Sequence, residues 1–292
     1  MKKAFPIIII LLVFIAICSV ALILVPSMRY GAFGVNLKYG FKQGNTDNYT
    51  EKTDISFKGD AAESGSKSVS YNSEKKLSIE TTKVDSDSAF LVLRSETTAK
   101  EASIDGKIKT GIPAGNDKSN LSIKVTPSGK ILELEAPGVA PENREKALKL
   151  YQFFSGFIML PEKAVRPGQT WSQPVDAEFD QDYLGLNTPL KGTITHKLVR
   201  VENYKGVMAA LIESSGTFKA DSSLLKTNIL SMETVVNIKG SLYFDIKNGM
   251  PIHCEREITL DMTKTVPVLN TKIKAGSTVK TVLDKASQGD KK

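Results

Sequence analysis

From Val236 to Ile246 every second position is apolar or glycine (Val236, Ile238, Gly240, Leu242, Phe244, Ile246), while Asn237, Lys239, Ser241, Tyr243 and Asp245 take the places between. Successive side chains of a strand point to opposite faces, so this period of two describes a strand with one dry face and one wet face. Asn248-Gly249 follows, a pair suited to a hairpin turn. The return strand repeats the pattern: Ile252, Cys254, Ile258, Leu260 and Met262 lie on one side, with His253, Glu255, Glu257, Thr259 and Asp261 on the other. A helix would scatter either set around its circumference. Arg256 falls in phase with the apolar set, which places a cation at the rim, snorkelling outward, or beside an acid.

The same alternation recurs through residues 35–41, 49–58, 67–71, 77–84, 89–95, 101–108, 121–125, 131–135, 192–201 and 271–283, and strands resume at Thr170. Turn residues punctuate it. The run from Gln43 to Asn48 predicts a hairpin between 35–41 and 49–58, and Thr126-Pro127-Ser128-Gly129-Lys130 predicts another. Asp85-Ser86-Asp87-Ser88 lacks the glycine and terminal glutamate of a calcium loop and reads as a plain turn. Pro167-Gly168 suits the central pair of a type II turn.

Only one segment breaks the alternation with helical spacing. Pro141 and Glu142 open it, Ala147, Leu148, Leu150, Tyr151, Phe153, Phe154, Phe157 and Ile158 form its wide apolar face, and Pro161 closes it. This predicts a helix over 142–159. The expected architecture is therefore mainly β: a curved antiparallel sheet or half-open β-barrel, with one helix packed on the apolar face. The exported domain is expected to span 35–283, after a linker at 28–34 and before a polar tail, 284–292, expected to be disordered.

Residues 4–25 carry no charge, and as a helix they would reach roughly 33 Å, enough for a bilayer core. That run is longer than the apolar stretch of most cleaved signals, although cleavage after Ser27 is compatible with it. Either way Lys2 and Lys3 stay cytoplasmic and the rest is exported. Segment 1–27 is thus read as a transmembrane anchor or signal. The localisation that follows is the cell envelope, with a single-pass anchor and a periplasmic or extracellular domain. Ile17 before Cys18 and the apolar residues after it argue against a lipidation site, and Cys254 is then left without a disulfide partner.

The chain has 292 residues with 41% hydrophobic and 24% charged, values near those of ordinary globular proteins, which argues against both disorder and a multi-span membrane protein. The net charge of +7, two units of it from Lys2 and Lys3, is too small and too dispersed for nucleic acid. With two histidines and two cysteines in all, a metal site and a cofactor are not expected. His196 and His253 sit in strands with no nucleophile motif beside them, and His253 and Cys254, as strand neighbours, point apart. No enzyme is predicted, and no catalytic residue is assigned.

Several segments carry a resemblance: Leu37 to Gly44, the Pro-Ser-Gly-Lys hairpin, the aromatic-rich helix, the stretch from Leu160-Pro161-Glu162-Lys163 to Pro167-Gly168-Gln169-Thr170-Trp171, and the hairpin Phe244 to Gly249. Over most of 35–265 the chain resembles bacterial envelope proteins of the DUF6263 type, a resemblance that brings no catalytic residues with it. More distantly the layout is similar to the lipoprotein carriers LolA and LppX, which implies a curved sheet holding a helix against its concave side.

The function expected from these readings is non-enzymatic binding of an apolar or amphipathic ligand, a lipid or a lipidated partner, on the outer side of the cytoplasmic membrane. Its candidate binding residues are Trp171, Val236, Ile238, Leu242, Phe244, Ile258 and Leu260. The partners are then the membrane, through the N-terminal segment, and a lipid or lipoprotein ligand. The alternative is a membrane-tethered structural or interaction module without a small-molecule ligand, pairing through an exposed strand edge.

Overall fold

The computed structural model describes residues 30, 33–61, 65–105, 107–109, 118–181, 186–221, 231–266 and 271–286. The expected membrane segment lies outside them. Among the described residues no helix is long and apolar enough to cross a membrane.

Twelve strands form one antiparallel sheet: β1 (Thr46–Ala61), β2 (Gly65–Val84), β3 (Ala89–Ile104), β4 (Lys107–Lys109), β5 (Lys118–Val125), β6 (Ile131–Glu135), β7 (Thr170–Gln181), β8 (Leu186–Tyr204), β9 (Val207–Asp221), β10 (Ser231–Asp245), β11 (Met250–Val266) and β12 (Thr271–Lys285). The order across the sheet is β6-β5-β3-β2-β1-β12-β11-β10-β9-β8-β7, with β4 on the end of β3. The sheet is a chain of hairpins in two halves, and β1 against β12 is the seam that joins them.

Between the halves runs the helix α1 (Arg144–Phe154), entered through a single 3-10 turn at Pro141–Asn143. It touches both β6 and β7, the two ends of the path. Eleven strands laid flat would span about 48 Å, and an 11-residue helix is only about 16 Å long. The sheet must therefore curl until its edges approach one helix. It stays open, a half-barrel with α1 in the gap, as the alternation predicts.

Four expectations need correction. Residues 35–41 are extended, with Val35, Leu37 and Tyr39 buried, yet they form no hairpin with β1. Their amides go to three separate places: Val35 exchanges hydrogen bonds with Val165, Tyr39 N–H donates to Pro127 O (2.8 Å) and Gly40 N–H to Gly249 O (3.0 Å). The segment thus lies across one end of the half-barrel. A side chain at Gly249, where φ is 67°, would run into the backbone of Lys38 and Gly40, so this crossing needs glycine.

The helix ends at Phe154 instead of Met159, because Ser155 turns extended (ψ 158°) and residues 155–160 continue as a strap. Predicted strands 67–71 and 77–84 are one strand, β2, and 89–95 with 101–104 are another, β3, while Lys107 and Ile108 fall in β4. Asp284 and Lys285, assigned to the tail, belong to β12, where Lys285 Nζ meets Asp47 Oδ1 at 2.6 Å; residues 287–292 lie outside the described residues.

Candidate functional site

The strap positions the site. Gln152, on the last turn of α1, reaches the β6 edge: its Oε1 accepts from Ile131 N–H (2.7 Å) and its Nε2 donates to Gly129 O (3.3 Å) and Phe157 O (3.2 Å). On the β7 edge, Gln173 Oε1 accepts from Met159 N–H (3.0 Å) and Trp171 Nε1–H donates to Met159 O (2.7 Å). The two edge strands are thus each joined to the strap by side chains, which also satisfies the Ile131 amide on the β6 edge and the Met159 amide of the strap.

Trp171, one of the candidate binding residues, is a fastener of this strap and stands outside the cavity wall. Replacing it with phenylalanine keeps most of the ring but orphans the Met159 carbonyl, and should cost about 1–2 kcal/mol in urea denaturation. Circular dichroism is the readout, since this is the chain's single tryptophan.

Between strap, helix and concave sheet is a cavity of about 290 Å³. Apolar side chains dominate its wall, including Leu77, Leu93, Phe157, Ile194, Ile238 and Leu242. Of the candidate binding residues, Ile238, Leu242 and Ile258 line it. Val236 and Leu260 instead belong to the cluster formed by Phe153 of α1 with Phe218. Phe244 lies at the end crossed by residues 35–41, edge-on to Tyr39 with ring centres 5.4 Å apart. Alternation puts all these residues on the inner face, but only their height along the strands decides which of them meets the cavity. Tyr49, Tyr151 and Phe157 complete the wall, and only Tyr151 and Phe157 stood out in the sequence, as part of the helix face.

The interior has a level structure that the strand register makes explicit. Leu198, Ile212, Leu242, Cys254 and Leu283 stand side by side across β8, β9, β10, β11 and β12. Two residues further along, the adjacent row reads His196, Ser214, Gly240, Arg256, Thr281, Thr53 and Ser73, which is polar throughout except for the glycine. Beyond it Ile238, Ile258, Val279 and Ile55 restore an apolar row. A polar belt therefore crosses an apolar interior.

Three of its members, His196, Ser214 and Arg256, are held by hydrogen bonds. Because Gln173 Oε1 already accepts from Met159, the His196 Nε2 at 3.1 Å carries the proton and donates to it, leaving Nδ1 to accept from Ser214 Oγ–H at 2.7 Å. Burial, with the Arg256 cation nearby, pushes His196 down to about 4. The Ser214-His196-Gln173 chain has the outline of an acyl-transfer triad but not its electrostatics: Gln173 has no charge to stabilise an imidazolium, and Arg256 opposes one. Arg256 turns inward and donates from Nη1 to Ser155 O of the strap (3.1 Å), and burial lowers its pKa. Cys254 is a free thiol on the same inner face, pushed up by burial.

His253 faces the other way. Its ring nitrogens meet Asp284 Oδ1 (2.8 Å) and Glu255 Oε1 (3.2 Å) on the outer surface, beside the stacked pair Tyr204 and Tyr243. Burial works against the Asp284 carboxylate, but hydrogen bonds from His253 and Lys205 hold it below its ordinary value. Among the described residues no group of three or more His, Cys, Asp or Glu side chains is placed to hold a metal.

No family model and no curated protein matches the sequence. Among solved structures, one described as lipid-protein interactions in lipovitellin is similar at a TM-score of 0.42 and 15% identity, over 85% of this chain and 25% of that one. The chain thus spans a quarter of the lipovitellin it matches. OmpF of Salmonella typhi in complex with daunomycin is similar at 0.25 and 6% identity, over 82% of this chain and 98% of that one. An outer membrane channel from Pseudomonas putida F1 follows at 0.21 and 7%, over 85% and 97%. Likeness at this level carries no functional argument, and none of the three bears on the DUF6263 or LolA resemblance.

Proposed function

We propose that this chain binds an apolar or amphipathic molecule, a lipid or the acyl chain of a lipidated partner, in the cavity between sheet, helix and strap, and that it does so without catalysis on the outer side of the cytoplasmic membrane. The observation that carries the reading is the cavity itself. A half-barrel whose inward rows met the helix completely would hold no space, whereas here about 290 Å³ remains, near the lower end of ligand-pocket sizes and walled mainly by apolar side chains. The charge-free segment 4–25 supports the location. The neutral state of His196 and the absence of charge on Gln173 support a binding role over a hydrolytic one.

Native mass spectrometry with organic extraction, on residues 28–292 purified from bacterial envelopes without detergent, tests the reading. A stoichiometric lipid or acyl species is the expected result. An empty protein that takes up no lipid when offered vesicles would overturn it and favour the tethered interaction module.

A further inference from the structure

We infer that the mouth of this cavity receives the head of a zwitterionic amphiphile, with Glu51 beside its ammonium, Lys75 beside its phosphate and the tail inside. The inference rests on the binding reading above and adds the ligand's polar chemistry to it. The cavity has two unlike sides. On β8 and β10, Ile194, His196, Ile238 and Leu242 line it and are each 2% exposed or less. Gly240, between Ile238 and Leu242, adds no side chain to this wall, so room for a tail remains there. On β1, β2, β3 and β5 the wall reaches solvent, and beside Leu77 and Leu121 it carries polar groups: Glu51 and Lys75, with side chains 27% and 38% exposed, and the hydroxyls of Ser95 and Ser119. Because an unpaired polar head is costly to bury, an amphiphile lies one way round here, tail toward β8 and β10 and head at the mouth.

Glu51 and Lys75 stand directly opposite one another on β1 and β2 and pair at 3.6 Å. The other charged residues of the wall are directed elsewhere: Glu255 meets His253 on the outer face, and Arg256 is turned to the strap. Neither Glu51 nor Lys75 has to be free to take a ligand. An ion pair this exposed contributes little, so it is easily shared. Lysine has three N–H donors and an ionised carboxylate about four acceptor positions, so each can keep the other and still meet a second group. A zwitterion lying along the pair sets each of its charges against the opposite one, whereas a single charge would be attracted by one partner and repelled by the other. Ser95 and Ser119 hydrogen-bond to each other at 2.7 Å, which leaves one of their two hydroxyl hydrogens to donate to a phosphate oxygen. Tyr151 of α1 lines the same mouth, and burial, then the Glu51 charge, raises its pKa, so the phenol stays protonated as a further donor.

The test uses the full chain in an uncharged maltoside detergent and four diazirine-bearing C16 probes that share a tail and differ at the head: phosphoethanolamine, anionic phosphoglycerol, a primary ammonium and uncharged glycerol. Cross-links are mapped by tandem mass spectrometry. The phosphoethanolamine probe is expected to label cavity residues such as Ile238, Leu242 or Ile258 at about three- to ten-fold lower concentration than the glycerol probe, the effect of two partly exposed charge contacts, and at lower concentration than either singly charged probe. Glu51→Gln should move the preference toward the phosphoglycerol probe and Lys75→Gln toward the ammonium probe. A pair with a merely structural role would weaken all four probes alike. Equal labelling by the four on the native chain, a preference for another head, or variants that fail to shift the preference in opposite directions would overturn the inference while leaving the binding reading intact. Labelling of the cavity by none of the probes would overturn both. The comparison of heads on the native chain stands even if a variant does not fold.

Discussion

Phe153→Ala is expected to lower the unfolding free energy by about 3–5 kcal/mol, the range for an aromatic ring removed from a close-packed core. Phe153 is 2% exposed, at the end of α1, and meets Phe218 of β9 edge-on with ring centres 5.6 Å apart. The reason this one contact matters lies in the sheet beneath it. Phe218 is seated between two glycines: a Cβ at Gly192 would stand 2.7 Å from its ring, and one at Gly216 would stand 3.1 Å away. The sheet omits two side chains so that one ring can lie against it, and the helix then docks on that ring.

Denaturation of Phe153→Ala, Phe218→Ala and the double variant closes a cycle, and a coupling of about 0.5–1.5 kcal/mol is expected from the edge-to-face pair. Gly192→Ala should destabilise by about 1–3 kcal/mol through overpacking, although alanine ordinarily suits a strand better than glycine. A loss below about 1 kcal/mol for Phe153→Ala would mean that α1 is held by its strap alone, and the helix would then be free to leave the cavity without disturbing the sheet.

What could be read in advance follows from the range of the forces involved. The period of two reports which side of a strand is buried, and it located the inner faces of β10 and β11 correctly, Arg256 included. It does not report what buries them. Residues 35–41 alternate as well as any strand, yet their partners are three turns far apart in sequence. Phe157 and Ile158 satisfy helical spacing, and only the extended backbone of Ser155, fixed by Gln152 and Gln173, takes them out of the helix.

Turn chemistry was legible where the favoured residues stood. Gly168 has a φ of 88°, and Gln169 N–H donates to Arg166 O, as a type II turn at Pro167-Gly168 requires. Asn248-Gly249 does sit in a hairpin, but in a longer loop capped by the Asp245 carboxylate, which accepts from the Lys247 and Asn248 amides. Among the described residues the tight turn with two successive positive φ values is Lys205-Gly206, where lysine replaces the expected asparagine and hid the hairpin joining β8 to β9. The cavity was legible only in part, through Ile238, Leu242 and Ile258. It is the volume left between rows on strands distant in sequence, and it depends on the heights set by register and on Gly240.

Acid should loosen this protein through His196 before it titrates most carboxylates. The imidazole is 1% exposed and its pKa is held down at about 4, against 6.5 for an ordinary histidine. Between those values the unfolded chain binds a proton that the folded chain refuses, so stability falls as pH drops from about 6.5 toward 4 and levels off below. The full contribution is about 3 kcal/mol. Measured as the difference in unfolding free energy between the native chain and His196→Gln, the advantage of histidine should be greatest at pH 7 and smaller by about that amount at pH 4. Taking the difference cancels the carboxylates common to both. A difference that does not change with pH would mean that His196 takes up its proton as readily in the fold as in the unfolded chain, and the fold would then not be holding the imidazole neutral. If it does change, the consequence reaches the cavity. The oxygen of Gln173 that accepts from His196 also holds the amide of Met159, so the group that acid disturbs is one hydrogen bond from the strap that closes the site.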